Sequence, residues 1–487
     1  MSPATHDNAE DPVVKLDAAL LKSPAPAGVA SAPIPLNGES QLFVDDHLIA
    51  FKSAVHRRLN RPVKERAPFL VPDRPWEGQA AVYGSIVEHD DGLRLYYKGW
   101  QNNTPLNYAQ FRAKHGYGKY PVCAVHSRDG LAFDKEPLAG AVHAGTNIVI
   151  DDQIDDFTIL KDAAETDPSR RFKLLSSKGN WWAGLTPATS PDGIRWTWGK
   201  ENAVAFFGDR CSYWYDPIQK KHVAWSRNYP LVGGRVLVHK ETADFDNWSD
   251  ERLSPVKLAM QPDRYDHEQT QFYGGYAFWY RSLYLAYVEV YYIHQQRLDT
   301  QLACSRDGRT WTRLCDREAF LTNGEHGELD AYWAVPTFNP PILRDGSLLI
   351  HYNGRPDPHS QPGFPFVPPG AGGSFALSRL REDGFVSLDS TGGDGLVETK
   401  PLVPEKAWQS LEVNVCPFNA RPGYEPMRVT VELLDEAGKA FAAYAIRPGA
   451  DPAQVWYKIA RTEGLPETVR LRFRLFNARL YSFRFAI

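Results

Sequence analysis

The chain has few cysteines, and none stands in a spacing typical of a zinc site or a disulfide framework. There are five cysteines, an odd number, and they are widely spaced with no C-x-x-C pair: Cys123, Cys211, Cys304, Cys315 and Cys416. Reduced thiols in a cytoplasmic protein are the simplest interpretation. The N-terminus lacks the apolar core of a signal peptide, and no run of about 18 apolar residues occurs, so no membrane span is expected.

Excess charge of one sign is also missing. The formal net charge is −4 and no Lys/Arg run occurs, so a nucleic-acid partner is not expected. The sequence contains no Gly-x-Ser-x-Gly elbow, Walker loop or dinucleotide fingerprint, which argues against hydrolases of that type, NTPases and Rossmann enzymes. Long helical periodicity is absent as well.

Aromatic residues and turn-forming clusters are abundant instead. The chain holds 14 Trp, 23 Tyr and 24 Phe. From Leu42 onward, short apolar or aromatic runs alternate with Gly, Asp, Asn and Pro clusters, which is typical of all-β proteins. Aromatic rings favour strands, and they also form flat platforms on which sugar rings stack. The sequence leaves both uses open for each ring.

The motif Ser-x-Asp-Gly-x-x-aromatic recurs and indicates a repeat fold. It occupies residues 127–133, 190–196 and 305–311, with degenerate copies at 242–248 and 381–385. The copies lie roughly 55 to 75 residues apart, an ordinary length for a propeller blade with its loops. Five copies predict five blades, in which Asp-Gly makes the turn because glycine accepts a positive φ.

The predicted organisation has three parts. Residues 1–33, rich in Ala, Pro and Ser, are expected to form a flexible arm with a weakly helical piece at 13–22. Residues 34–391 are expected to form a five-bladed β-propeller that carries the active site. Residues 392–487 contain cleanly alternating segments, such as 428–434 and 469–475, which predict a C-terminal β-sandwich.

Carboxylates precede the first strand of four predicted blades. Asp155 and Asp156 precede that of blade two, Asp209 that of blade three, Glu268 that of blade four and Glu328 that of blade five. The start of an innermost strand faces the pocket of a propeller, so these acids are expected to converge. Glycoside cleavage needs one protonated and one ionised carboxyl group. The alternative for each acid is that it caps a turn.

Histidines beside two of these acids raise a metal alternative. His267 with Glu268, and His326 with Glu328, could hold a divalent cation on the propeller axis. These spacings are not specific zinc signatures, and solvated loop residues explain them equally well. No metal ligand and no cofactor is therefore assigned.

Several segments together resemble a known family. They are Leu42-Phe-Val-Asp-Asp-His-Leu-Ile49, Leu59-Asn-Arg-Pro-Val63, Pro75-Trp-Glu-Gly78, Tyr83-Gly-Ser-Ile86 and Leu480-Tyr-Ser-Phe-Arg-Phe485. The family comprises bacterial proteins described as similar to glycoside hydrolase family 32, related to the five-bladed propeller families 43, 62 and 68. The resemblance implies a propeller, a terminal sandwich and glycosidase activity. The catalytic motifs of family 32 (Trp-Met-Asn-Asp-Pro-Asn-Gly, Arg-Asp-Pro and Glu-Cys) are absent, so the resemblance implies no particular substrate.

The first functional hypothesis is a glycoside hydrolase, or a transglycosylase, acting on a furanoside-type or related oligosaccharide. Glu268 and Glu328 are predicted to include the general acid, and Asp156 and Asp209 to supply the base, the nucleophile or a tuning carboxylate. The residues predicted to contact the sugar are Tyr83, Trp181, Trp182, Trp214, His267, Tyr273, Trp279, His326 and Trp333.

Two alternatives remain open. A non-catalytic sugar-binding module would use the aromatic residues without the carboxylates. A lyase or other sugar-modifying enzyme would use a tyrosine such as Tyr83 as base and a histidine such as His267 as acid. In each case the predicted partner is an oligosaccharide or glycoside, and a homo-oligomer is compatible with the sequence.

Overall fold

A computed structural model describes residues 12–16, 31–101, 104–179, 184–204, 208–229, 234–248, 256–359, 372–391, 393–421, 423, 425–447, 454–461 and 466–487. The chain divides into two compact units. The C-terminal unit comprises Met1–Asn60, Leu343–Leu348 and Leu380–Ile487. The central unit comprises Arg61–Ile342 and Leu349–Arg379.

Nearly all regular structure in the described residues is β-strand, which confirms the all-β prediction. The first strands are β1 (Val13–Leu16), β2 (Ile34–Pro35), β3 (Gln41–Leu42), β4 (Ile49–Ser53), β5 (His56–Leu59), β6 (Val63–Lys64), β7 (Ala80–His89), β8 (Gly92–Trp100), β9 (Val122–Ser127), β10 (Ile148–Ile150), β11 (Ile154–Lys161), β12 (Phe172–Lys178), β13 (Thr186–Ser190), β14 (Thr197–Trp198), β15 (Cys211–Asp216), β16 (Lys221–Asn228), β17 (Val236–Thr242) and β18 (Lys257–Met260). The later strands are β19 (Thr270–Tyr280), β20 (Leu283–Tyr292), β21 (Arg297–Ser305), β22 (Thr312–Arg313), β23 (Ala319–Leu321), β24 (Trp333–Pro336), β25 (Ile342–Arg344), β26 (Ser347–Arg355), β27 (Ser374–Arg381), β28 (Val386–Ser390), β29 (Gly395–Thr399), β30 (Leu402–Val403), β31 (Ser410–Pro417), β32 (Arg428–Leu434), β33 (Ala440–Ile446), β34 (Trp456–Ala460), β35 (Arg470–Phe476) and β36 (Ala478–Ala486).

Helical structure is sparse in the same residues. The α-helix α1 (Tyr108–His115) is capped by Asn107, whose side chain accepts the N–H of Gln110. Short 3₁₀ turns occur at Pro168–Arg170, Ile293–Gln295 and Cys315–Arg317. Within the described part of the chain, no helix combines the length and apolar composition needed to cross a membrane.

The central unit consists of sheets in which most neighbouring strands are consecutive and antiparallel, whereas β21 and β24 pair in parallel. Three of them have four strands each, in the orders β7-β8-β9-β10, β11-β12-β13-β14 and β15-β16-β17-β18. A larger sheet runs β19-β20-β21-β24-β26-β27-β6, with β22 and β23 attached to β21 and β25 attached to β26. The sheets of β7 and β11 are joined by the Ile159 N–H, which donates to Ser85 Oγ at 3.2 Å. Those of β11 and β15 are joined by Thr158 Oγ1, which donates to the Cys211 carbonyl at 3.2 Å.

The three complete copies of the repeated motif form the same turn. In each copy the serine Oγ accepts the glycine N–H, at 2.8–2.9 Å, and the aspartate Oδ1 accepts the next N–H, at 2.8–2.9 Å. The glycines, Gly130, Gly193 and Gly308, have φ values of +82°, +70° and +71°. Each turn follows the third strand of its sheet, so the motif marks the same place in successive sheets.

Some predicted boundaries differ from the structure. Val13–Leu16 form β1, which pairs with β33, because their alternating residues complete a sheet edge instead of a weak helix. Residues 34–60 belong to the C-terminal unit, since β3, β4 and β5 pair with β36, β29 and β28. β24 ends at Pro336, because proline has no N–H with which to continue the ladder.

The C-terminal unit contains two large sheets that share one hydrophobic core. Their orders are β1-β33-β32-β35-β29-β4 and β34-β31-β36-β28-β5, with β3 attached to β36. Side chains from both sheets, including Val431 and Phe473 from the first and Val413 and Phe483 from the second, are buried in it. Two of its strands, β32 and β35, coincide with the alternating segments predicted at 428–434 and 469–475.

The alternating arginines of β35 are not all on a solvated face. Arg470 and Arg472 are 8% and 4% exposed. Both pair with Glu398 of β29, and Arg472 also pairs with Glu432 of β32, at 3.0 Å. Buried charges are tolerated only when paired, so the apparent polar face of β35 is an internal ladder of ion pairs.

The repeated turn makes a stability prediction. Ser127→Ala removes the acceptor of the buried Gly130 N–H and should lower the free energy of unfolding by about 1–3 kcal/mol. Urea unfolding followed by tryptophan fluorescence measures this change. Arg128→Ala, at the exposed position of the same turn, is the matched control and should shift it by less than about 0.5 kcal/mol. Equal effects of both variants would contradict the role of the serine.

Candidate active site

Irregularities near the start of four strands turn polar side chains toward one another. β7 and β19 each have a bulge at a tyrosine, Tyr83 and Tyr273, and a glycine follows both tyrosines. β11 has a bulge at Asp155 and Asp156. Arg210, directly before β15, has a φ of 51°. Bulges re-aim side chains next to functional sites, and these residues form a single cluster in the central unit.

Asp156 is fully buried, and protein donors occupy its carboxylate. Oδ1 accepts the N–H of Phe157 and Oδ2 accepts the N–H of Cys211, both at 2.8 Å. Arg210 Nη1 lies 3.3 Å from Oδ2. Burial raises the pKa of Asp156 to about 6, and the Arg210 charge opposes this rise. Asp156 therefore ties β11 to the start of β15, and its predicted catalytic role stays a prediction.

Arg210 extends this connection to β20. Its Nε lies 2.7 Å from Glu289 Oε2, and a second hydrogen bond joins Nη2 to Oε1. Its guanidinium lies 4.5 Å from the ring centre of Tyr83. A Cβ on Gly274 would collide with the side chains of both Arg210 and Glu289, so this position needs glycine. Two acids and one arginine thus join three sheets in the buried interior.

Asp155 and Asp209 form a pair of carboxyl groups beside this network. Asp155 lies close enough to Asp209 to raise the pKa of that carboxyl group, and the two side chains are 25% and 13% exposed. Lys98 Nζ lies 3.1 Å from Asp155 Oδ1, and Arg227 forms an ion pair with Asp209. Burial raises the pKa of Asp209; Arg227 opposes the rise and Asp155 adds to it. Each carboxyl group thus lies beside a protein cation as well as beside the other carboxyl group.

Two tyrosine hydroxyls face each other next to the carboxyl pair. Tyr83 Oη and Tyr273 Oη are 3.4 Å apart. Lys98 Nζ lies 4.8 Å from the ring centre of Tyr83, and the Arg227 guanidinium lies 4.4 Å from that of Tyr273. Burial raises the pKa of both phenols, that of Tyr83 to well above 10. Both hydroxyls therefore keep their protons at neutral pH.

Trp333 forms an aromatic wall of the same cluster. Its ring centre lies 5.4 Å from that of Tyr273, and the His359 ring stacks on it at 5.5 Å with a 9° interplanar angle. The Arg355 guanidinium lies 4.5 Å from the Trp333 ring centre and pairs with Asp357 at 2.6 Å. The cluster therefore combines flat rings with charged groups.

Several buried polar atoms of this cluster have no hydrogen-bond partner among the described residues. The donors are Arg227 Nε and Nη1, Arg235 Nε, Arg355 Nη1 and Trp333 Nε1, and the acceptors are Asp209 Oδ1 and Asp357 Oδ1. A buried polar atom without a partner costs about 1–3 kcal/mol, so native structures contain few of them. Their concentration here indicates a site that a polar ligand completes.

The structure brings together five of the predicted site residues. Tyr83, Asp156, Asp209, Tyr273 and Trp333 all belong to the cluster just described.

The predicted general acids have different surroundings. Glu268 and Glu328 are exposed, as are His267 and His326. Glu328 accepts the N–H of Glu325 at 2.8 Å, which is the contact of a turn cap. The catalytic role of Glu268 and Glu328 stays a prediction. In the structure, Glu328 caps a turn, as the alternative for each acid supposed.

The other tryptophans predicted to contact the sugar do not belong to this cluster in the described residues. Trp214 is 4% exposed and packs edge-on against Trp225, with ring centres 5.2 Å apart. Trp279 packs against Tyr284 at 4.8 Å, close to the β19–β20 turn. Both rings lie in the packing of the sheets instead of next to the carboxyl pair. Trp181 and Trp182 lie outside the described residues.

The structure offers no cluster suited to a metal within the described ranges, where no group of three or more His, Cys, Asp or Glu side chains is arranged to hold an ion. The acids of the cluster have protein cations beside them instead. Lys98 pairs with Asp155 and Arg227 pairs with Asp209. Arg210 pairs with both Asp156 and Glu289.

Four cations of the cluster, Lys98, Arg210, Arg227 and Arg355, were not predicted from the sequence. They lie on second strands, at strand ends or in irregular positions, where a lone Lys or Arg looks like a solvated residue. One signal was available for the tyrosines. Val82-Tyr-Gly84 and Phe272-Tyr-Gly274 repeat an apolar-Tyr-Gly pattern at matching positions of two sheets.

No family model matches the chain, and no curated protein matches it. Solved structures with a similar backbone exist. An N-acetylgalactosamine deacetylase from F. plautii, in complex with blood group B trisaccharide, is 12% identical with a TM-score of 0.45, covering 68% of this chain and 97% of its own. A putative glycosidase from Bacteroides thetaiotaomicron is 15% identical with a TM-score of 0.45, covering 66% and 95%. The Bombyx mori GH32 β-fructofuranosidase is 9% identical with a TM-score of 0.42, covering 86% and 94%. These values establish neither a family nor an activity for this chain.

The buried Asp156 makes a pH prediction. Its pKa of about 6 lies above the value near 3.9 of an unfolded aspartate, so the folded state binds the proton more tightly. The resulting stabilisation is fully present below about pH 4 and is lost as the pH rises through about 6. The difference in unfolding free energy between the wild type and Asp156→Asn should therefore fall by up to about 3 kcal/mol from pH 4 to 7. Urea unfolding of both proteins at four pH values measures it, and a difference that rises with pH would contradict the assignment.

Proposed function

We propose that this chain is a glycoside-cleaving enzyme that works through the Asp155–Asp209 pair. That pair is the observation that carries the proposal, because it places two partly exposed carboxyl groups side by side, with the pKa of Asp209 raised by burial. The unpaired donors and acceptors around it match sugar hydroxyls, each of which both donates and accepts. Trp333 and Tyr273 supply rings for the apolar face of a sugar.

The proposal includes a five-bladed propeller in the central unit. The first four blades are the sheets that begin with β7, β11, β15 and β19. The fifth consists of β24, β26, β27 and β6, which the single bridge between Leu298 and Trp333 links to the fourth. The Phe338 N–H donates to the Gly84 carbonyl at 2.7 Å, which supports neighbouring positions for the fifth and first blades. In this arrangement the carboxyl pair lies near the propeller axis.

The proposed chemistry divides two roles between the pair. Asp209, in the protonated form that burial favours, donates its proton to the glycosidic oxygen as the bond to the anomeric carbon breaks. Asp155, beside the Lys98 ammonium, accepts a proton from the water that attacks this carbon. The two neighbouring aspartates would act together as a catalytic dyad.

The lyase alternative is less well supported. It needs a tyrosine that loses its proton, whereas burial raises the pKa of Tyr83 to well above 10. His267, the acid in that hypothesis, is exposed and its Nδ1 lies 2.9 Å from the carbonyl oxygen of Glu268.

A mutational comparison tests the proposal. A screen of aryl glycosides and natural oligosaccharides first identifies a cleaved substrate. Asp155→Asn and Asp209→Asn should then each lower kcat by about 10²–10⁴-fold, the usual contribution of a general acid or base. Glu268→Gln and Glu328→Gln, in exposed turns, serve as matched carboxylate controls and should stay within about threefold of the wild type.

The outcomes separate the hypotheses. A large loss in Glu268→Gln or Glu328→Gln, with full activity in the aspartate variants, would restore the sequence-based assignment and overturn this one. Binding without turnover by the wild type across the whole panel would favour the non-catalytic sugar-binding module. Circular dichroism of each variant checks that the fold is retained.

A further inference from the structure

Three guanidinium groups surround one histidine in the cluster. The Arg227 and Arg235 groups lie 4.4 and 5.7 Å from the ring centre of Tyr273, and the Arg355 group lies 4.5 Å from that of Trp333. The His359 ring lies 4.9 Å from Tyr273 and 5.5 Å from Trp333. Burial and the three arginines lower the pKa of His359 to about 3, so it stays neutral.

The charge of these arginines is not balanced by acids. Arg355 pairs with Asp357 and Arg227 pairs with Asp209. Arg235 donates to the neutral Gln271 Oε1 at 2.5 Å and makes no ion pair with an acid within the described residues. At least one positive charge therefore remains uncompensated at this end of the site.

The arginines also have N–H groups to spare. Arg227 and Arg355 are 5% and 1% exposed. Arg227 Nε and Nη1, Arg355 Nη1 and Arg235 Nε are buried, and they have no acceptor among the described residues. Guanidinium groups bind carboxylate and phosphate oxygens through two parallel N–H bonds. Neutral hydroxyls would accept these hydrogen bonds without compensating the charge.

We infer that Arg227, Arg235 and Arg355 form a subsite for an oxyanion, a carboxylate or a phosphate, carried by the sugar. The inference rests on the proposed function and makes it more specific: the substrate would be an acidic or phosphorylated glycoside. The oxyanion would accept from the unpaired N–H groups, while its sugar ring lies against Trp333 and Tyr273. Arg235 supplies a positive charge that forms no ion pair with an acid of the described residues.

Monosaccharide binding tests the inference without any turnover, because these probes contain no glycosidic bond to cleave. Ligand-observed NMR titrations of the full-length wild type use D-galacturonate, D-glucuronate and glucose 6-phosphate, with galactose and glucose as neutral parents and inorganic phosphate as the free anion. At least one acidic sugar should bind about tenfold or more tightly than its neutral parent, which corresponds to one charged contact of about 1.4 kcal/mol.

Variants test whether Arg235 causes the preference for the acidic sugar over its neutral parent. Arg235→Gln should abolish it, and Arg235→Lys, which keeps the charge, should retain part of it. Arg66→Gln makes the same charge change at an exposed position and should leave it unchanged. Equal affinity for acidic and neutral sugars, no detectable binding of any acidic probe, or free phosphate binding as tightly as the best acidic sugar would each overturn the inference. Acidic preference in a protein that cleaves no glycoside would instead leave the subsite standing and defeat the proposed function.

Discussion

The buried bridge from Asp156 through Arg210 to Glu289 is the interaction on which the site depends. It joins β11, the start of β15 and β20. Every member is at most 3% exposed, where an unpaired charge would be costly. The geometry of these three sheets is therefore set by charge pairing as well as by apolar packing, and removing one member would strand the others.

The bridge also gives two adjacent aspartates different surroundings. Backbone N–H groups and Arg210 engage Asp156, so its neighbour Asp155 is left to meet Asp209. The bulge in β11 directs the adjacent side chains to different surroundings, one inside the bridge and one in the partly exposed pair. Arg210 itself fills the space beneath Tyr83, which helps to fix the tyrosine hydroxyl near Tyr273.

Much of the strand pattern could be predicted from the sequence, because it is local. The Ser-x-Asp-Gly turns are stabilised by hydrogen bonds within four or five residues, so their motif is visible in the letters. The site could be predicted only in part. Asp209, Tyr83, Tyr273 and Trp333 lie where strand starts were expected to face a pocket. Asp155 and Asp156 have different surroundings because the strand register shifts by one residue there. The alternation of polar and apolar residues does not reveal such a shift.

The cations were hidden from sequence reasoning for a related reason. Lys98, on the second strand of its sheet, is 1% exposed, yet its surroundings come from Asp155, Tyr83 and Tyr120 on other segments. Likewise, the arginines of β35 suggested a solvated face and are instead paired to acids on neighbouring strands. Long-range pairing of this kind leaves no local pattern. Exposed acids such as Glu268 are equally ambiguous, since a turn cap and a catalytic acid share the same sequence context.

A crystal structure of Asp209→Asn with an oligosaccharide found by the substrate screen tests the proposed site most directly. The scissile oxygen is expected within hydrogen-bond reach, about 2.6–3.2 Å, of the side chain at position 209, with a sugar ring against Trp333. A sugar bound instead beside Glu268 or Glu328, away from Asp155, would contradict it.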